Sequence, residues 1–313
     1  MSTPNPFGPG GWTPDRIESL DGKTFVITGA NSGAGFEASR ILLSKGARVV
    51  MMNRSMDKSN AAIAALQSEF GQDAKVSAVR LDLAVMASVR EAAAELLEHT
   101  PQIDALICNA AIAQVATQAI TVDGFESQLG VNHFGHFLLC GLLFDRIEAS
   151  EGRVVVVGSN GYKMGLKRIK FEDLNFDNDY TGWASYSQSK LAQMVFAYEL
   201  QRRVIAAGKP VQVHVCHPGA SRTNLIQGSA SFAMRAIWSV LSLMAQSAER
   251  GSWPEVLCAT QDGLQPATLY GPTTLEMRGP VGVCPLEDCA LDQEAATKLW
   301  ALSEEKTGLR WAL

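Results

Sequence analysis

Tyr186 and Lys190 stand four residues apart in the stretch Tyr186-Ser187-Gln188-Ser189-Lys190. On an α-helix this spacing stacks two side chains on one face. A free phenol titrates near ~10, too high for an effective base at neutral pH. A neighbouring ammonium favours the phenolate and lowers that value. Such a pair can give a proton to a carbonyl oxygen or take one from an alcohol. Taken alone the spacing is weak, because most Tyr/Lys pairs four apart simply lie on a solvated helix face. It gains meaning from the elements that must hold it.

Residues 23–28 read as a short apolar strand, and Gly29-Ala30-Asn31-Ser32-Gly33-Ala34-Gly35 as a turn leading into a helix that stops at Gly46. Strand, glycine turn and helix make the first half of a βαβ unit. Glycines let the backbone approach a pyrophosphate, and the helix start offers unpaired N–H groups and a positive dipole end. The spacing is T-G-x-x-x-G-x-G rather than G-x-G-x-x-G, and only its place between strand and helix favours a dinucleotide over a plain turn. The next strand, 47–52, runs into Asn53-Arg54. NAD enzymes commonly carry an acidic residue there for the ribose 2′-OH. Asn53 removes that carboxylate, and Arg54 can grip a 2′-phosphate, so the pair points to NADP, with NAD as the alternative. The competing reading of Arg54 is a solvated loop cation.

Further along, helices are expected at 57–70, 86–99 and broadly 121–148, and strands at 75–81, 104–108, 153–158 and 211–216. Their alternation predicts an α/β fold: a doubly wound parallel sheet of the Rossmann type. Asp82-Leu83, Asn109-Ala110-Ala111, Ser159 and His217-Pro218-Gly219 all fall at strand carboxyl ends, where such sheets bind ligands. Asn132, in an apolar helix, reads as a capped or solvated amide or as the holder of a water inside a site. His133 and His136, three apart without a third ligand in view, read as structural rather than metal-binding, and no metal is expected.

Composition bounds the rest. A hydrophobic share of 47% in 313 residues supplies the core of one large domain, expected over 21–313. Residues 1–20, rich in Pro and Gly up to Pro14, are expected as a flexible arm, loose or draped over the surface. The net charge of −5 and the lack of basic runs argue against nucleic acid. Six scattered cysteines, several in apolar runs, suit reduced core thiols; Cys284 and Cys289 lack a second ligand pair for zinc. Without a signal peptide or a long uncharged apolar run, a cytoplasmic protein with no transmembrane segment is expected. Residues 224–246 are apolar with Arg235 as their only charge. They suit a lid over a hydrophobic substrate, a packed helix, a dimer contact or a helix on a membrane surface.

Together, Thr28-Gly29-x-x-x-Gly33-x-Gly35, Asn109-Ala110, Asn132, Ser159, Tyr186-x-x-x-Lys190 and Pro218-Gly219-x-x-x-Thr223 resemble the short-chain dehydrogenases/reductases over roughly 20–310. Phe171-Glu172-Asp173-Leu174-Asn175, Gly182-Trp183, Tyr270-Gly271-Pro272, Arg278-Gly279 and Leu299-Trp300 are similar to the retinol-dehydrogenase-like branch. The resemblance implies hydride transfer between a nicotinamide cofactor and an alcohol or carbonyl. It implies Tyr186 as general acid/base, Lys190 on the phenol and the nicotinamide ribose, Ser159 on the substrate oxygen, and Asn132 holding a relay water. It also implies Thr223 on the nicotinamide carboxamide or phosphates, with Asn109 and Asp82 framing the adenosine. Ala111 departs from the family's Asn-Ala-Gly, and the stretch between Ser159 and Tyr186 is long enough to add a loop. Reduction of a carbon–carbon double bond and a non-catalytic dinucleotide sensor are the alternatives. Relatives often pair through two helices, and Leu138, Leu142, Leu191, Val195 and Phe196 are candidates for that surface in a homo-oligomer.

Overall fold

Unbroken apolar runs such as Val154-Val155-Val156-Val157 need cover on both faces, which is the condition of a central parallel strand. The computed structural model, which describes residues 5–220 and 246–313, places them so. Eight strands form one sheet in the order β3-β2-β1-β4-β5-β6-β7-β8. They are β1 (Thr24–Thr28), β2 (Arg48–Asn53), β3 (Val76–Arg80), β4 (Ala105–Cys108), β5 (Arg153–Val157), β6 (Gln212–Cys216), β7 (Leu269–Thr274) and β8 (Arg278–Cys284). All neighbours pair in parallel except β7 with β8. The chain order reverses between β1 and β4, so the crevice of a doubly wound sheet opens beyond their carboxyl ends.

Two layers of helices cover the sheet. On one face α1 (Gly33–Ser44), α2 (Met56–Phe70) and α7 (Ala248–Thr260) bury Ile41, Leu42, Leu66, Val256 and Leu257. On the other lie α3 (Met86–His99), α4 (Ser127–Leu129), α5 (Gly135–Ala149), α6 (Gly182–Ala206) and α8 (Gln293–Thr307), around a core that includes Leu96, Phe137, Phe196 and Trp300. A π turn, Gly130–Phe134, joins α4 to α5. The helix expected from 121 thus begins only at Ser127, and its interior carries an extra residue.

The structure corrects several expectations. β7, β8 and α8 had no strand or helix reading in the sequence. β7 contains Gly271 and Pro272, which discourage a strand assignment. Its pairing with β6 ends at Tyr270, so Pro272 removes no bond there. A Cβ on residue 271 would fall 2.3 Å from His217 Nε2, hence the glycine. Residues 5–17 drape over the far edge of the sheet: Trp12 is 1% exposed and bridges to Val281 of β8. Leu138, Leu191, Val195 and Phe196, named as a pairing surface, are buried within the single chain, and Leu142 is half-buried. α8 packs on α6, and the ring of Trp300 lies against Phe137 and Phe196. Trp311 stacks beside Phe137 and Phe144. All six cysteines are free thiols. Among the described residues no helix is long and apolar enough to cross a membrane. Thr223 and all but the end of the apolar 224–246 segment lie outside the described residues.

Candidate active site

Tyr186 and Lys190 lie in the first turns of α6, whose start is fixed by Thr181: its side chain accepts from the Ala184 N–H. Both side chains are buried. Burial pushes the Tyr186 phenol above its ordinary range, and the neighbouring Ser159 hydroxyl opposes that rise. Burial also brings the Lys190 ammonium down to about 8. Lys190 Nζ donates to the Val157 carbonyl and to Gln193 Oε1, each at 3.0 Å. Two of its three hydrogens are engaged, and the third remains for a ligand hydroxyl. The ammonium thus turns toward β5, and burial rather than the expected lysine effect governs the phenol in this arrangement.

Ser159 follows β5 after the single residue Gly158. Its Oγ accepts from the Gly161 N–H at 3.1 Å and caps the short turn Asn160–Lys163. Gly161 lets this turn approach the phenol, since a Cβ there would stand 3.0 Å from Tyr186 Cε1. The loop from Met164 to Thr181 is held beside the site by Gln188, which accepts from the Lys170 N–H and donates to the Leu174 carbonyl. One turn before Tyr186, the half-exposed Trp183 ring lies 6.0 Å from the phenol ring. Met164 and Leu166 stand exposed on the loop after Ser159.

Asn132 sits in the π turn, fully buried. Its Nδ2 donates to the Ile112 carbonyl at 3.0 Å and to Ser189 Oγ at 2.9 Å, and its Oδ1 accepts from the Ile112 N–H at 2.9 Å. Both amide hydrogens are therefore committed to protein partners. A water held by Asn132 would have to use an oxygen: Oδ1 or the peptide carbonyl.

The glycine turn has the shape a pyrophosphate needs. Gly29 has φ +69°, and a Cβ there would lie 2.9 Å from Ala110 Cα. At Gly35 a Cβ would lie 2.5 Å from Asn109 Nδ2 and 2.8 Å from the Gly29 carbonyl. Asn109 holds the turn from below, Nδ2 donating to the carbonyls of Thr28 at 2.9 Å and Gly29 at 3.2 Å. Ser32 is extended and exposed and does not cap α1 with its side chain, so with Asn31 and Gly33 it leaves the helix start open to an anion. Asn53 is buried with Nδ2 on Ser59 Oγ at 3.0 Å, and its Oδ1 has no hydrogen-bond partner among the described residues. An orphaned acceptor at the end of β2, next to an exposed Arg54, suits a ribose hydroxyl.

The remaining wall residues share this edge. Asp82 Oδ1 accepts from the Ala84 N–H at 3.0 Å, and Leu83 is buried where Gly135 packs closely on it. The Ala110 N–H donates to Thr28 Oγ1 at 3.0 Å, and Ala111 beside it is half-buried. Gly219, at φ +67°, backs onto the Met277 carbonyl, and the Pro218 carbonyl accepts from Gln246 Nε2 at 2.7 Å. The described residues thus fit a dinucleotide lying across the sheet edge. Ile112, Gln193 and Ser189 contribute to the site without a motif to mark them, although Ser189 lies between Tyr186 and Lys190.

Residues 23–171 match the sequence profile of the short-chain dehydrogenases. The chain is 39% identical over 310 residues to human retinol dehydrogenase 14, covering 93% of this chain and 88% of that protein. It is 36% identical over 307 residues to human retinol dehydrogenase 13, covering 96% and 88%. A crystal structure of an uncharacterised protein from Mycobacterium Paratuberculosis superposes with a TM-score of 0.80 at 38% identity, over 97% of this chain and 100% of that one.

Proposed function

The chain belongs to the short-chain dehydrogenase/reductase family, in its retinol-dehydrogenase-like branch of NAD(P)-dependent enzymes acting on alcohols and carbonyls, and from that premise we propose an oxidoreductase that uses NADP(H) on an extended hydrophobic alcohol or carbonyl, with Tyr186 as general acid/base. The observation that carries this reading is the convergence of Ser159, Tyr186 and Lys190 at the carboxyl end of β5, where Gly161 lies against both Ser159 Oγ and the Tyr186 ring and Lys190 reaches the Val157 carbonyl, beside a glycine turn with no room for side chains at Gly29 and Gly35.

When bound, the dinucleotide supplies or accepts the hydride. The chain's own residues manage the oxygen and its proton. Ser159 orients the substrate oxygen, and Tyr186 gives that oxygen a proton in reduction and removes it in oxidation. Lys190, which in this arrangement faces the Val157 carbonyl, would hold the nicotinamide ribose with its remaining hydrogen, and only from there would its charge favour the phenolate. Asn53 and Arg54 would receive the adenosine ribose and its 2′-phosphate, with Asn31, Ser32 and Gly33 on the pyrophosphate; Asp82, Leu83, Asn109, Ala110, Ala111, Pro218 and Gly219 would complete the wall among the described residues. Exposed Met164 and Leu166 with Trp183 support an apolar substrate, as do the names of the relatives. The six free thiols support a reducing, cytoplasmic location.

Tyr186→Phe is expected to lower turnover by roughly 10²- to 10⁴-fold while NADPH affinity stays near normal. Nicotinamide absorbance over a panel of apolar aldehydes, ketones and alcohols reads this out, and near-normal turnover in the variant rejects the mechanism.

A further inference from the structure

His136 lies outside the Ser–Tyr–Lys–Asn set, yet it ties that set to the strand beneath the cofactor turn. Its Nδ1 is 3.1 Å from the Asn132 carbonyl and its Nε2 is 3.0 Å from Thr28 Oγ1. A carbonyl only accepts, so Nδ1 carries the hydrogen. Burial holds the imidazole down to about 4, so the ring is neutral and Nε2 must accept from the Thr28 hydroxyl. Thr28 Oγ1 then accepts from the Ala110 N–H, and its contact to the Ile107 carbonyl is the longer, at 3.4 Å. Ala110 continues through Ala111 to Ile112, which exchanges two hydrogen bonds with the Asn132 amide. The path is a closed circuit: Thr28, Ala110, Ile112, Asn132, His136 and back to Thr28. The titratable groups that face the imidazole are Lys190 and His133.

We propose that His136 is a positioning residue for the reaction, a neutral Nδ1–H imidazole that fixes the Asn132 peptide of the π turn against Thr28, and so sets the carbonyl through which Asn132 serves proton movement. This rests on the reading of the chain as a Tyr186-dependent oxidoreductase. The residue joins β1 directly to the π turn, and Thr28 and Asn132, its two partners, each hold the loop after β4. Because the π turn breaks the regular helical pattern, the Asn132 peptide has less help from its own helix than a peptide in a continuous α-helix. An imidazole that donates from one nitrogen while the other is clamped supplies that orientation.

The test uses three variants of the whole chain, with kcat, KM, NADPH affinity by fluorescence titration, and the pH profile of kcat. His136→Asn keeps a donor where Nδ1 stands, His136→Gln keeps only the reach to Thr28, and His136→Leu keeps neither. Asn should retain at least about a third of wild-type kcat, while Gln and Leu should lose about tenfold or more with a displaced kcat–pH profile and NADPH affinity within about threefold. Equal losses in all three with an unmoved pH profile, tracking thermal stability alone, overturn the proposal. Should the Leu variant fail to fold, the contrast between Asn and Gln decides. A separate arm needs no turnover: ¹⁵N shifts of His136 in the wild-type chain should report a neutral Nδ1–H tautomer throughout pH 6–9, and an Nε2–H tautomer or titration in that range overturns the proposal. Absence of any Tyr186-dependent turnover in the wild type would instead reject the enzymatic reading, leaving the tautomer to judge the geometry.

Discussion

At Arg54 the charge of one side chain would, in the proposed function, set the choice of cofactor. The residue is exposed immediately after β2, beside the orphaned Asn53 Oδ1. A guanidinium there would recognise a 2′-phosphate by charge-assisted hydrogen bonds that a bare ribose cannot make. Arg54→Ala is expected to raise the Michaelis constant for NADPH by roughly ten- to hundredfold and that for NADH little; an equal response of both makes Arg54 a solvated loop residue. Glu255 poses a different residue-scale question. It is buried in α7 with neither carboxylate oxygen partnered among the described residues, and burial pushes it up to about 8. The folded chain therefore binds this proton more tightly than the unfolded chain, whose reference value is 4.5. The stabilising contribution of the protonated form is complete below the unfolded value and is lost as pH rises through the folded one. Glu255→Gln should match wild-type thermal stability at pH ~5 and exceed it by several degrees at pH ~8.5. A constant offset between the two melting curves at both pH values contradicts this account.

The glycine turn shows at the level of elements what the sequence could and could not tell. Its glycines, the strand before it and the helix after it were all legible, because each signal is local and the spacing fixes the geometry. A methyl at residue 35 would meet Asn109 Nδ2 and the Gly29 carbonyl together. Gly35→Ala should therefore weaken NADPH and NADH alike by about tenfold or more, without the selectivity change of Arg54→Ala, as fluorescence titration would show. β7 was illegible because Gly271 and Pro272 answer to distant neighbours, His217 and the edge of β6. The π turn was illegible because one extra residue in a helix leaves the apolar pattern nearly intact. His136 looked like half of a poor metal site because its partner Thr28 lies 108 residues away in sequence. The candidate Ser159, Tyr186, Lys190 and Asn132 were readable as types and order, while the hydrogen bonds that occupy Asn132 and Lys190 were not.

Across the whole molecule, α8 and the segment after it cover the face of α5 and α6 that would otherwise be open for pairing. Trp300 and Trp311 fill it, and at Gly141 a Cβ would fall 2.4 Å from Leu309 Cδ2. Trp311→Ala should lower stability by about 1–3 kcal/mol, less than a fully buried tryptophan would cost, as denaturant titration would measure. The same variant should associate more readily in light scattering; unchanged mass and stability would mean that the cover contributes little. The cover also has a place in time. Ribosomes deliver residues 293–313 long after α5 and α6, so a growing chain carries Phe137, Phe144 and Phe196 uncovered through the synthesis of everything between. That interval is a natural window for chaperone attachment, and slow codons placed ahead of residue 293 would lengthen it.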